Sequence, residues 1–336
     1  MKYIALISAT ELGSCGINLL LGPVLDLRNL DLKERTYSTS PVHIIQLASA
    51  LLNELKNHGF HAVGKHFPGL GAALVDTHTH TAEMNISFEE MSIRHLQPFQ
   101  SLIKAQLLTG VMLAHGTYPL VDSSPIPASS FWIQEILRER YQFDGLIMTD
   151  CLNMLAAQPV GKNTSSRILN CMQAGSDIVL LSHVFYTMKN IIEKLQSSPA
   201  FLEMNREKNH QRIAQVLQQA KPLTYYLDLL ESPVYQDAKQ QIIALSENKI
   251  SISLAHTAPL TASLISRFFC LRWFKKVSKN TAKYVLKSPW IREGLYRSYY
   301  HLLLWYKKHA FMPKVSWFTS ILNFIIKIIL NKKRTN

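Results

Sequence analysis

The sequence predicts an α/β chain of βα units around a parallel sheet, followed by a basic, aromatic tail of helical character. Three observations carry this reading: apolar, β-rich runs recur along the first part of the chain, segments of helical period separate them, and the composition changes abruptly near Leu264. With 336 residues, 47% of them hydrophobic, the chain can bury a sizeable core.

The first run is GINLLLGPVLDL, residues 16–27, and the second is HAVGKHFP, residues 61–68. GVMLAHGTYP (110–119), DGLIMTD (144–150) and SDIVLLS (176–182) follow, each ending in polar or turn-forming residues. Between the first two, residues 44–59 place apolar side chains three and four apart and end in Gly59, the pattern of an amphipathic helix with a glycine after its last turn. Parallel strands with polar residues gathered at their ends fit both a barrel and a doubly wound sheet, and either places its site at the C-terminal edge of the strands. The N-terminus contains Leu12-Gly13-Ser14-Cys15, which has the look of a lipoprotein cleavage site. Glu11 interrupts the apolar run that such a signal needs, so the expectation is an ordinary helix leading into a strand.

Charge is distributed unevenly. The net charge is +13, yet residues 264–336 hold 16 Lys and Arg against the single acid Glu293, while residues 1–263 carry 20 bases and 22 acids. The same tail has 15 of the 32 aromatic residues. Rings mixed with bases suit a helix lying at an anionic membrane surface, and a helical appendage with a solvated basic face is the alternative. The apolar content exceeds what phosphate contact requires, which argues against nucleic acid. The domain reading is 1–221 for the βα units, 222–263 for a linker or helical extension and 264–336 for the tail. Cys15, Cys151, Cys171 and Cys270 form no CxxC pair, so neither a disulfide framework nor a zinc site is expected, and a reducing, cytoplasmic setting is the simplest reading.

Two constellations could carry chemistry. Lys65-His66-Phe67-Pro68-Gly69-Leu70-Gly71 runs from a strand end into a loop that contains Asp76-Thr77-His78. A carboxylate two residues before an imidazole can fix the ring's tautomer, although alone such a pair equally suits a surface hydrogen bond or a weak metal site. Asp150, in Thr149-Asp150-Cys151-Leu152-Asn153-Met154, ends an apolar strand, where a barrel keeps its reacting groups and where a helix N-cap would also sit.

KHFPGLG followed by DTH resembles the signature KHFPGHG and D(S/T)H of the β-N-acetylhexosaminidases of glycoside hydrolase family 3. GPVLDLR resembles the family's strand ending in APVLD, and Glu34-Arg35-Thr36-Tyr37-Ser38 resembles its (D/E)R(S/A)FS segment. GVMLAHGTYP, FDGLIMTDCLNM and AGSDIVLL match further strands in order, so the resemblance runs from about Ile4 to Lys221. It implies a (β/α)8 TIM-barrel-like fold, incomplete at its N-terminal side because family members carry further barrel strands and a sugar-contacting D-x-E-G-G segment before GPVLD. A partner chain, an oligomer or the tail is then expected to close the structure.

The resemblance also implies a retaining β-N-acetylhexosaminidase, acting on terminal β-linked N-acetylglucosamine in glycans such as peptidoglycan fragments. Asp150 would be the nucleophile and His78, oriented by Asp76, the acid/base, with Lys65, His66 and Arg35 contacting the sugar. The structural alternatives are that Lys65 and His66 satisfy strand-end carbonyls and that Arg35 pairs with Glu34 or Asp31. Asp26 and His115 also fall at strand ends. No metal or organic cofactor is implied. Leu70 departs from the motif by replacing its second His. A β-glucosidase of the same family fits less well, because Cys151 stands where such enzymes carry Trp. An inactive relative, binding sugar or attached to a membrane, is the competing function class.

Overall fold

A computed structural model describes residues 1–250, apart from 30–31, 33–34, 74–79, 183, 185, 205 and 219–220. Asp76 and His78, and the whole tail from 264, lie outside the described residues.

The elements follow the expected alternation. Helix α1 (Lys2–Ser14) leads into strand β1 (Leu19–Leu20), then α2 (Pro41–Asn57) and β2 (His61–Phe67). Helices α3 (Phe88–Ile93) and α4 (Gln97–Lys104) precede β3 (Gly110–Leu113). A π-helical segment, Phe131–Arg140, leads to β4 (Leu146–Cys151), and α5 (Thr164–Ala174) to β5 (Ile178–Leu180). Five helices complete the described chain: α6 (Met188–Gln196), α7 (Pro199–Leu202), α8 (Glu207–Gln218), α9 (Leu223–Leu230) and α10 (Pro233–Ile250).

All five strands are parallel and lie in sequence order, β1 to β5. Val63 aligns with Gly110, Gly110 with Leu146 and Met148 with Ile178. Because side chains alternate across a strand, one face carries Ala62, Val111, Leu113 and Ile147 into the main core beneath the helices. The other face presents Val63, Met112 and Met148, flanked by the partly buried Leu19, Ile178 and Leu180. This is half of a barrel, with Val63, Met112 and Met148 lining its inside. Among the described residues β1 pairs only with β2, and β5 only with β4.

The first run is less regular than its apolar character suggests. Its ladder to β2 breaks at Gly22-Pro23, where proline offers no N–H, and resumes as a bridge between Val24 and Lys65. Leu25 N donates to Lys65 O, and Lys65 N to Pro23 O. The second contact brings Asp26 alongside the end of β2.

Helix α2 shows how the helices are specified. Pro41 opens it, and Ile44, Ala48, Leu51, Leu52 and Leu55 form its buried stripe. The chain leaves through Gly59 at φ +65°, where a side chain would be strained. At the start of the chain, α1 packs against α9 and α10. Gly13 lets the Tyr226 ring approach so closely that a Cβ would lie 2.4 Å from it. Tyr226 Oη donates to His58 O, and Tyr235 Oη to Glu11 Oε1 at 2.7 Å. Residues 223–230 and 233–250 are thus helical, and Tyr226 and Tyr235 are buried.

A four-residue ion network joins the π-helical segment, β4 and α8. The Asp177 carboxylate, fully buried, receives Arg138 Nη2 at 2.8 Å, Arg212 Nη1 at 3.1 Å and the backbone N of Ile147 at 2.8 Å. Arg212 Nη2 also meets Asp144 Oδ1 at 2.7 Å. No described helix is long and apolar enough to cross a membrane.

Candidate active site

The C-terminal ends of β1 to β4 bring Asp26, Lys65, His66, His115 and Asp150 to one edge of the sheet, as expected for groups that end parallel strands. Asp26 is fully buried, and its two oxygens accept three N–H groups. Oδ2 takes His66 N at 3.1 Å and His66 Nδ1 at 2.7 Å, while Oδ1 takes Leu70 N at 2.7 Å. One carboxylate therefore fixes both the entry of the KHFPGLG loop and the orientation of the His66 ring. Tyr118 Oη donates to Gly69 O, holding the loop from β3's side, and burial pushes the Tyr118 phenol well above its ordinary pKa, so it stays a donor. Leu70 is buried in the main core, which accounts for an apolar residue at this motif position.

With Nδ1 committed to Asp26, His66 directs Nε2 at Asp150 Oδ2, 3.8 Å away. That separation is longer than a hydrogen bond. The Asp150 side chain is 24% exposed, and its Oδ1 accepts from Cys151 N at 2.7 Å. The N-cap reading does not hold: the next helical turn, Leu155–Val160, is capped by Met154, and Asp150 stays within β4. Its second oxygen faces His66 Nε2.

Lys65 is half-buried, and burial lowers the pKa of its ammonium. Asp150 pulls in the opposite direction, Arg35 adds to the lowering, and Asp26 opposes it. An ammonium under these influences can donate hydrogen bonds to hydroxyls. Arg35 is exposed and near enough to act on Lys65. His115, one of the strand-end residues noted in the sequence, is buried: it is 1% exposed, and its ring bonds the backbone behind Asp150. Among the described residues no cluster of three or more His, Cys, Asp or Glu is arranged to hold a metal ion.

The model of the glycosyl hydrolase family 3 N-terminal domain matches residues 1–218. The chain belongs to glycosyl hydrolase family 3. Among relatives of this family 3 chain, a β-hexosaminidase of Psychromonas ingrahamii is 32% identical over 250 residues, which cover 72% of the chain and 70% of the relative. A β-hexosaminidase of Tolumonas auensis is 38% identical over 194 residues, 57% of the chain and 58% of the relative. The family 3 chain thus spans a little over half of the second relative's length. Of solved structures, NagZ from Neisseria gonorrhoeae, in complex with N-trifluoroacetyl-D-glucosamine, matches with a TM-score of 0.64 at 28% identity, covering 73% of this chain and 68% of that one. The likeness extends over the half-barrel, so the family 3 chain carries the parallel sheet of such a barrel in the expected strand order.

Of the residues singled out in the sequence motifs, Lys65, His66 and Asp150 lie at this edge, and Arg35 is close enough to act on Lys65. The triple acceptance by Asp26 and the hydrogen bond from Tyr118 were not visible in them, because each joins segments tens of residues apart. The polar residue closing the apolar run 16–27 was the one available signal for Asp26.

Proposed function

We propose that this chain hydrolyses terminal β-linked N-acetylglucosamine from glycans, peptidoglycan fragments among them, with retention at the anomeric carbon. The observation that carries the reading is the Asp150 carboxylate, partly exposed at the end of β4, with Oδ2 facing His66 Nε2 and its charge acting on Lys65. In the proposed reaction an Asp150 oxygen bonds to the anomeric carbon as the glycosidic C–O bond breaks. His78, oriented by Asp76, gives its proton to the departing oxygen. The same imidazole then takes a proton from water, whose oxygen displaces Asp150 and frees the sugar. Lys65, His66 and Arg35 bind sugar hydroxyls. The names of the relatives support the substrate class.

The test is release of N-acetylglucosamine from an aryl β-N-acetylglucosaminide by the whole chain. Retention is read by NMR of the first-formed anomer. Binding of N-acetylglucosamine without turnover would favour the sugar-binding alternative. His78→Ala is expected to slow glycosides with poor leaving groups by about 10²- to 10⁴-fold while barely affecting activated aryl glycosides, since only the former need a proton donor. Equal losses on both would remove His78 from the acid role.

The same reading includes the surroundings of the half-barrel. Among the described residues the outer edges of β1 and β5 carry no further strand, and this, together with the partly buried Leu19, Ile178 and Leu180, supports closure by a partner chain or a second copy. The +15 charge and aromatic content of residues 264–336 support attachment to an anionic membrane surface. Sedimentation of the whole chain reads both: an oligomer without vesicles, and pelleting with anionic vesicles that weakens as salt rises. A monomer that ignores vesicles would overturn both.

A further inference from the structure

His115 sits two residues beyond the end of β3, buried to 1% exposure, and its ring reaches across to the end of β4. Nε2 lies 3.0 Å from the carbonyl oxygen of Cys151. A carbonyl only accepts, so Nε2 must carry the hydrogen. Nδ1 is then bare in the neutral ring, and among the described residues it has no hydrogen-bond partner. Burial lowers the pKa of the ring against the opposing pull of Asp150, which keeps it in that neutral form. The titratable and charged groups acting on it are Asp150, His66 and Arg167.

The peptide that His115 holds is the one joining Cys151 to Leu152. Its other end is held as well, because Leu152 N donates to Leu180 O at 2.9 Å. The plane is therefore fixed from β3 on one side and from β5 on the other. The next carbonyl, Leu152 O, accepts from Arg167 Nη1 at 2.9 Å, and Cys151 Sγ lies 3.1 Å from Ser182 Oγ. Upstream, Cys151 N donates to Asp150 Oδ1. Fixing the orientation of the 151–152 peptide fixes the backbone at Cys151, and with it the N–H that grips one oxygen of the nucleophile.

We propose that His115 is a positioning residue for the hydrolysis: its Nε2–H holds the Cys151 carbonyl so that Asp150 keeps Oδ1 bound and Oδ2 aimed at the anomeric carbon. As a space-filler alone, a phenyl ring would occupy the site without burying a bare nitrogen. The imidazole is distinguished by the donor at Nε2, and that donor is spent on the backbone behind the carboxylate. Because misplacement of a reacting atom by about 1 Å can cost on the order of 100-fold in rate, a backbone clamp one residue from the nucleophile acts on turnover and not on sugar affinity.

Two variants of the whole chain test this with an aryl β-N-acetylglucosaminide, each checked for folding by circular dichroism. His115→Phe keeps the ring's bulk and loses the donor, and it is expected to lower kcat by about 10- to 100-fold with KM changed less than about threefold. His115→Gln places an amide N–H near the Nε2 position, and it is expected to recover most of that loss. The role is overturned if Gln is as impaired as Phe, if both keep the parent kcat, or if the loss falls on KM. If Phe fails to fold, the Gln variant against His115→Met, which fills space without an N–H, gives the same comparison. The inference rests on the hydrolase reading, and the two fail differently. An inactive parent chain sinks that reading and this role with it, whereas an active parent with His115 variants of unaltered kcat sinks the positioning role alone.

Discussion

Asp150→Asn is expected to lower turnover of an aryl β-N-acetylglucosaminide by at least about 1,000-fold, with the fold intact. An amide is nearly isosteric with the carboxylate and can still accept from Cys151 N through its oxygen, so the local backbone is expected to hold. What it lacks is an anionic oxygen able to bond to the anomeric carbon. The oxygen at risk is Oδ2, which faces His66 Nε2 at 3.8 Å and has no backbone donor of its own in the described residues. The measurement is kcat on the purified variant beside its circular dichroism spectrum and thermal midpoint. Turnover within tenfold of the parent would remove Asp150 from the chemistry and leave it as a structural residue at a strand end.

Asp177→Ala is expected to cost about 3–5 kcal/mol of stability, read as a lowered midpoint in urea or guanidinium unfolding. The carboxylate is fully buried and is the point at which two guanidinium groups and one backbone N–H converge. Removing it strands Arg138, whose remaining bonds go to the carbonyls of Phe143 and Gly145. Arg212 fares better because Asp144, at the surface, still binds it at 2.7 Å. Arg212→Ala is therefore expected to cost less than Asp177→Ala, because Asp177 keeps Arg138 and Ile147 N when Arg212 is lost. A larger loss in the Arg212 variant would show that the network is anchored from α8 and not from β5.

The strand order was legible because each apolar run between residues 16 and 182 is bounded by polar or turn residues and separated from the next by a helical period. The edge at which Lys65, His66 and Asp150 meet followed from those boundaries, since parallel strands put their ends together. Their chemistry did not follow from pattern alone. Without the KHFPGLG and TDCLNM motifs, Asp150 reads as a helix cap, and only the structure shows it inside β4 with no helix to cap. The interruption of the first run at Pro23 was present in the sequence as a residue without a donor, but the resumption of pairing at Val24 depends on where β2 lies. Asp26, Arg138 and Asp177 were least legible. Each satisfies groups from segments about 30 to 44 positions away, and a single-sequence pattern has no term for such a distance.

The seam between α1 and the pair α9 and α10 bears on how this chain is made. Its contacts join nearly the two ends of the described chain: Glu11 to Tyr235 spans 224 positions, and Gly13 receives the ring of Tyr226. On the ribosome, α1 emerges before any of the five strands and must wait for these partners until they have all been synthesised, with Ala5, Leu6 and Ala9, all buried in the finished fold, left without their final cover. Contacts of such separation carry a high loop-closure cost and slow folding, so this part of the sheet's outer layer is completed only when the later helices dock onto one made before the sheet.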